Sequence, residues 1–435
     1  MGEAPRFMLL APWRGAAHKR GLSSDHIFLL MVLGATSFFD GYDTAIKTAA
    51  LTQIRGTFDL TKGEASALFG VIFLGALPAM VITRYADRVG RRRLLIWCVL
   101  GYTFFTATTA LAPTAELFTA SQFMQQLFIV AEGAIVFTMA AEELPAAARG
   151  FGFGVLTMNA ALGAGFASIL FGILEPLDIS WRWLYVVGIP PLMIVAVMRR
   201  RLPESHRFEA ARDSGGLARH WTEILGPTVR WWLFLVVITT FLTQLIQQAG
   251  SFTIDFLQTD RGLSASVANG MLVLAGLPGI PIMVAAGAIS DRYGRRVVGC
   301  SFACASVIGG LGFFFLPGGV PVLLPCMSLT LIGQLGAWPV LQTYTSELFP
   351  TRLRSSAAAW ANTAGVIGRS ASLGIAAVLL QTYSQSVTTL FLSVGPIIAI
   401  VIFAVAFPDT HGRELEEITG EESLALALEL DVMDR

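Results

Sequence analysis

Charge is what this chain of 435 residues has least of: charged residues make up 14% of it, and only three of its thirty basic residues are lysine. Soluble domains carry about 25% charge, so the string of soluble domains that the length would allow is excluded. Thirty acidic residues cancel the thirty basic ones, which leaves no global field to recruit nucleic acid. Cysteine is scarce as well. Cys98, Cys300, Cys304 and Cys326 all fall inside apolar runs, a pattern that argues against a disulfide framework. Cys300 and Cys304 share a helical face, but no His, Asp or Glu lies near them in sequence, so no metal site is expected. The five histidines (His18, His26, His206, His220 and His411) lie in termini, loops or at a helix edge. No Ser/His/Asp set, HExxH or P-loop appears, so neither an enzyme nor a cofactor is expected. The apolar run from Phe7 to Pro12 is too short for a signal-peptide core.

Apolar residues, by contrast, are abundant: 54% of the chain is hydrophobic, the mean hydropathy is +0.65, and there are 43 glycines. This composition places the chain in a lipid bilayer, where small residues let helices approach closely. About 20 apolar residues cross the hydrocarbon as a helix. Apolar runs predict twelve such helices, at 26–47, 66–84, 94–112, 117–141, 151–174, 182–198, 231–257, 265–289, 297–316, 320–345, 355–380 and 387–407. With both termini cytoplasmic, 24 of the 30 Lys and Arg fall in cytoplasmic segments or at their edges. Arg55, Lys62, Arg182 and Arg261 fall outside, and Lys47 and Arg369 fall within helices, so the positive-inside rule fixes the orientation. The predicted organisation is a cytoplasmic segment 1–25, six helices over 26–198, a cytoplasmic linker 199–230 with seven arginines, six helices over 231–407 and a cytoplasmic tail 408–435.

The two sets of six are repeats of one unit. "ADRVGRR" (Ala86 to Arg92) returns as "SDRYGRR" (Ser290 to Arg296), and "EELPAAARG" (Glu142 to Gly150) returns as "SELFPTRLR" (Ser346 to Arg354). Asp87 and Asp291 are 204 residues apart, as are Glu143 and Glu347. Two landmarks at one spacing indicate a duplicated six-helix unit.

Twelve helices in two similar halves, with D-R-x-G-R-R after the second and eighth, resemble the major facilitator superfamily over essentially the whole chain. "FFDGYDTA" in the first helix, "WRW" opening the sixth, "RLPESHRFEA" after it and "PDTHGRELEEI" after the twelfth are similar to sugar porter signatures. The resemblance implies an all-α membrane protein of two six-helix bundles and transport by alternating access. It also implies a cytoplasmic gate in which charges pair across the bundles when that side is shut. Carried onto this chain, the gate comprises Asp87, Arg88, Gly90, Arg91, Glu142, Glu143 and Arg149 in the first half. Its counterparts in the second are Asp291, Arg292, Gly294, Arg295, Glu347, Arg352 and Arg354. Proton-coupled sugar porters pair a first-helix aspartate with a fourth-helix arginine; counting back from Glu142 puts Gln122 there instead. "VAEG" with Glu132 is similar to the fourth-helix glutamate of organic-acid:proton symporters, which moves the expected substrate from sugars towards small organic acids.

Charges within the bilayer cost about 2.5–3.5 kcal/mol each on insertion scales and mark function by default. Asp40, Asp43 and Lys47 are spaced 3 and 4 apart on one helical face, so Asp43 can reach Lys47. Desolvation favours a protonated carboxylate whereas a nearby cation holds it ionised, so Asp40, Asp43, Lys47 and Glu132 are the proton-coupling candidates. Glu132 lies about 15 Å up its helix from Glu142, and either faces the central cavity or bonds to another helix. Arg369 suits a carboxylate substrate or else snorkels near the outer end. Gln244, Gln247 and Gln248 form a polar stripe similar to the "QQ" of sugar porters. With Gln122, Asn159, Trp338, Asn362 and Arg369 they are the substrate-binding candidates. The expected function is proton-coupled import of a small polar or anionic metabolite by a monomer in the cytoplasmic membrane, with lipid, substrate and protons as partners. Proton-driven efflux and a sensor on a transporter scaffold are the alternatives.

Overall fold

A computed structural model describes residues 22–89, 91–145, 149–199, 229–349 and 354–408. These residues are helical throughout, without a strand. The first predicted span is α1 (Ser24–Ala49), followed by the short α2 (Leu51–Thr57). The second is broken into α3 (Lys62–Leu74) and α4 (Ala76–Val89) around Gly75. Next come α5 (Arg91–Leu111), α6 (Ala115–Glu143), α7 (Arg149–Leu174) and α8 (Arg182–Arg199). The seventh span, predicted as one helix, is α9 (Arg230–Thr243), a 3₁₀ turn over Gln244–Ile246, α10 (Gln247–Ser251) and α11 (Thr253–Thr259). The eighth is broken like the second, into α12 (Ala265–Gly276) and α13 (Gly279–Tyr293) around Leu277 and Pro278. The remaining helices are α14 (Arg295–Phe315), α15 (Val320–Glu347), α16 (Arg354–Leu379) and α17 (Gln385–Ala406).

Local chemistry sets the helix ends. Thr61 and Glu64 form a reciprocal capping box at the start of α3, the Glu64 amide donating to Thr61 Oγ1 at 3.2 Å and the Thr61 amide to Glu64 Oε2 at 2.9 Å. Ser264 caps α12 and Ser384 caps α17 in the simpler one-sided form. Gly294 joins α13 to α14 at φ +91°, a conformation that glycine adopts without a Cβ clash. The second D-R-x-G-R-R motif is therefore a helix–glycine–helix turn. Ten helical stretches among the described residues are long and apolar enough to cross a membrane. α1 and α16, which carry the embedded charges Asp40, Asp43, Lys47 and Arg369, have 26 residues each, about 39 Å at 1.5 Å per residue and enough to span.

The chain forms two compact units. One takes Met1–Ile46, Pro78–Ala167 and Arg182–Leu217; the other takes Lys47–Leu77, Ser168–Trp181 and Ala218–Arg435. In the first, α5 packs on α6 and α8, and glycines bring α1 against α7: a Cβ on Gly41 would stand 1.9 Å from the Ala160 carbonyl oxygen, and one on Gly163 1.8 Å from that of Phe38. In the second, α14 packs along α15, and α3 along α16, where Ser66 Oγ donates to the Leu373 carbonyl at 2.8 Å. With no water to drive association, such close approach is what holds membrane helices together.

The cations assigned to the outer side by sequence are all engaged. Arg182 donates to the carbonyls of Ala110 (3.0 Å) and Ala112 (2.7 Å) at the end of α5. Arg261 donates to those of Phe314 (3.4 Å) and Leu316 (3.0 Å) at the end of α14. The capped carbonyls are equivalent positions of the repeat, 204 residues apart, yet the two arginines are not, so each half found its own cation for the negative end of the same helix. Arg55 Nη1 lies 2.6 Å from Oδ1 of the fully buried Asp255, which Thr52 Oγ1 also approaches at 3.1 Å. Lys62 pairs with Asp260 and lies 3.7 Å from Asp255 Oδ2.

Candidate functional site

The first unit holds a chain of buried polar side chains. Asp43 is fully buried on α1. Its Oδ2 accepts from the hydroxyl of Tyr102 on α5 and, at 3.2 Å, from Nε2 of Gln125 on α6. Gln125 Nε2 also donates to Thr106 Oγ1 at 2.8 Å. Gln122 Nε2 donates to Gln125 Oε1 and, at 3.2 Å, to Thr109 Oγ1. The fourth-helix position where sugar porters have arginine therefore supplies a neutral amide that supports Asp43 through Gln125. Lys47, one turn further along α1, is buried.

A second cluster lies in the same unit. Glu132 and Arg199 are both fully buried, with Arg199 Nη2 2.5 Å from Glu132 Oε1. The same guanidinium donates to Thr36 Oγ1 and, at 3.1 Å, to the Leu95 carbonyl. Of the two placements open to Glu132 in the sequence, the structure shows a bond to another helix. Arg199, assigned to the linker by its charge, is the last residue of α8 and lies inside the bundle. Asp40, one turn from Thr36, is partly exposed, but its Oδ1 is buried without a hydrogen-bond partner.

The second unit contains a cavity of about 380 Å³ walled by α9, the 3₁₀ turn, α10, α14, α15 and α17. That volume falls within the range of small-molecule sites. Gln244, Gln247 and Trp338 line it, along with Thr239, Thr243, Ser306, Thr330, Gln334, Thr389 and Ser393. Among the described residues, no charged side chain lines it. The break in the seventh span positions the two glutamines, since the 3₁₀ turn changes the helical phase at Gln244. Gln248 is fully buried with neither amide atom hydrogen-bonded. The Arg369 guanidinium stacks 5.6 Å over the Phe73 ring, its Nε buried and unpartnered, and Arg369 is not among the cavity's lining residues. Asn159 is partly buried and donates to the Val155 carbonyl one turn back, and Asn362 is exposed. Of the substrate-binding candidates, Gln244, Gln247 and Trp338 thus line one space, and Gln122, Gln248, Asn159, Asn362 and Arg369 are not among its lining residues.

Of the gate residues, Gly90 and Arg352 lie outside the described residues, as do the side chains of Asp87, Arg88, Arg91, Glu142, Arg149, Asp291, Glu347 and Arg354. Glu143 and Arg295 are partly buried, and Arg292 is exposed with its guanidinium 5.5 Å from the Tyr293 ring.

Tyr102, Gln125, Arg199, Arg55 and Asp255 were not singled out from sequence. One signal was available: Tyr102, Thr106 and Thr109 recur at spacings of 4 and 3, which puts them on one face of the helix. Nothing local marks Arg199, one of a run of three arginines.

The fold is that of a multi-pass helical membrane protein, and its family and relatives make it a transporter rather than an enzyme. The model of the Major Facilitator Superfamily matches residues 33–373 and 252–430, and the chain belongs to that family. It is similar to the niacin transporter of Acinetobacter baylyi, with 26% identity over 90% of this chain and 96% of that protein. It is similar also to the gentisate transporter of Corynebacterium glutamicum, with 23% identity over 86% of each chain. Among solved structures, the crystal structure of a D-xylose-proton symporter shares its fold, with a TM-score of 0.74, 17% identity and coverage of 89% of this chain and 99% of that one.

Proposed function

We propose that this transporter carries a small ring-shaped organic acid into the cell together with protons, the acidic pair Asp40 and Asp43 on α1 serving as proton carriers. The observation that carries the reading is the division of polar chemistry. Buried carboxylates lie in the first unit, where Asp43 is held by the neutral donors Tyr102 and Gln125. The second unit offers a cavity of about 380 Å³ with amide, hydroxyl and aromatic walls. A buried carboxylate whose charge a proton can neutralise is the chemistry that coupling requires. Niacin and gentisate are both ring acids, which supports the substrate class. The termini and the D-R-x-G-R-R loops face the cytoplasm in this reading, as the arginine distribution requires, and the loop charges latch that face. Arg55, Lys62, Asp255 and Asp260 then lie at the outer end.

A second reading, transport of an uncharged sugar or polyol, is favoured by the wholly uncharged lining of the cavity among the described residues. The two separate in an uptake screen on proteoliposomes, with a ring-acid pool (nicotinate, gentisate, benzoate) set against a polyol pool (xylose, arabinose, inositol). Uptake of ring acids that falls in Gln247→Ala supports the proposal. Uptake confined to the polyol pool replaces it with the second reading.

A further inference from the structure

We propose that Arg199 is the positioning residue of the acidic cluster: it fixes Glu132 as a permanent counter-ion and leaves Asp40 as the carboxylate that exchanges the proton. The inference rests on the symport reading above and assigns roles within it.

Arg199 grips three helices at once, through Glu132 on α6, Thr36 on α1 and the Leu95 carbonyl on α5. Both members of the ion pair are fully buried, so neither meets solvent directly. A carboxylate locked in this way is poorly placed to load and unload protons, whereas Asp40 on the neighbouring turn is partly exposed. Its Oδ1 nevertheless points into protein without a partner, as does Glu132 Oε2. The titratable and charged groups around Asp40 are Glu132 on α6, Arg199 on α8, Cys98 on α5 and Asp43 on its own helix. Within Asp40, Glu132 and Arg199 there are two carboxylates and one guanidinium. A single fixed cation compensates one fixed anion, and the charge left over is that of Asp40, which a proton can neutralise.

Second-site rescue tests this. Arg199→Gln, Glu132→Gln, the double variant and Asp40→Asn are reconstituted with an internal pH dye, protein-free vesicles serving as the blank. The probe is the combined ring-acid and polyol pools. In Arg199→Gln, uptake falls about tenfold or more because Glu132 is left buried and unpaired. The double variant returns to near the wild-type rate with the wild-type ratio of protons to substrate, and Glu132→Gln keeps that ratio. Asp40→Asn exchanges substrate across the membrane without net proton movement. Substrate flux without protons in the double variant or in Glu132→Gln would overturn the proposal by making Glu132 the carrier. A double variant no better than Arg199→Gln would overturn it as well. Where Arg199→Gln does not insert, the ratio in Glu132→Gln decides alone. Wild-type uptake without proton movement removes the symport reading itself, an outcome distinct from coupled wild type with an uncoupled double variant.

Discussion

Tyr102 helps set the environment of Asp43, since its hydroxyl donates to a fully buried carboxylate. A hydrogen bond to a charged group contributes about 1.5–3 kcal/mol, so Tyr102→Phe should lower the melting temperature of the detergent-solubilised protein and slow coupled uptake. Asp43→Asn should abolish coupling while Tyr102→Phe only weakens it; equal loss in both would make the tyrosine a carrier in its own right. Gln125→Leu is the harsher change, because it removes a donor to Asp43 and strands Thr106 and Gln122 together. In the cavity, Gln244→Ala and Gln247→Ala should raise KM more than they lower the maximal rate, the signature of lost binding common to ground and transition states.

Helix contacts give the sharpest structural predictions because neighbouring glycines behave oppositely. A methyl group at Gly163 would meet the Phe38 carbonyl, whereas one at Gly165 meets nothing within 4 Å. Gly163→Ala should therefore force α1 from α7 and cost folded protein on size-exclusion chromatography. Gly165→Ala should be neutral or stabilising by about 0.4–1 kcal/mol. A different force holds α2 to α11. Asp255 is fully buried against Arg55, and breaking such a pair costs about 3–5 kcal/mol. Asp255→Asn should lower thermal stability more than Asp260→Asn, whose partner Lys62 is shared with Asp255 and Gln385. The helices themselves were legible, since apolar run length alone locates a bilayer span. Breaks at Gly75, at Gln244 and at Leu277 were less so, because an apolar run reads the same through a 3₁₀ turn as through a helix.

On the scale of the whole molecule, duplication explains both what the sequence disclosed and what it hid. Motifs at a spacing of 204 residues announced two six-helix halves, and the helix ends capped by Arg182 and Arg261 keep that spacing. Side chains from distant helices are another matter. Glu132 meets Arg199 across 67 residues and Asp43 meets Tyr102 across 59, distances over which no local pattern operates. Asp40, Asp43 and Glu132 stood out because charge is costly in lipid, but Tyr102 and Gln125 beside Asp43 and Arg199 beside Glu132 did not. Neutral Tyr102 and Gln125 cost little enough to escape notice, and Arg199 was disguised by the arginine-rich linker it adjoins.

The central claim is that substrate and protons move together. It is tested most directly by recording labelled ring-acid uptake and internal pH in the same proteoliposomes under an inward substrate gradient, with protein-free vesicles subtracted. Internal acidification in fixed proportion to uptake, lost in Asp40→Asn, is the expected result. Uptake with no pH change would contradict it and leave a facilitator; alkalinisation during uptake would reverse the coupling and make the protein an exchanger of protons for substrate.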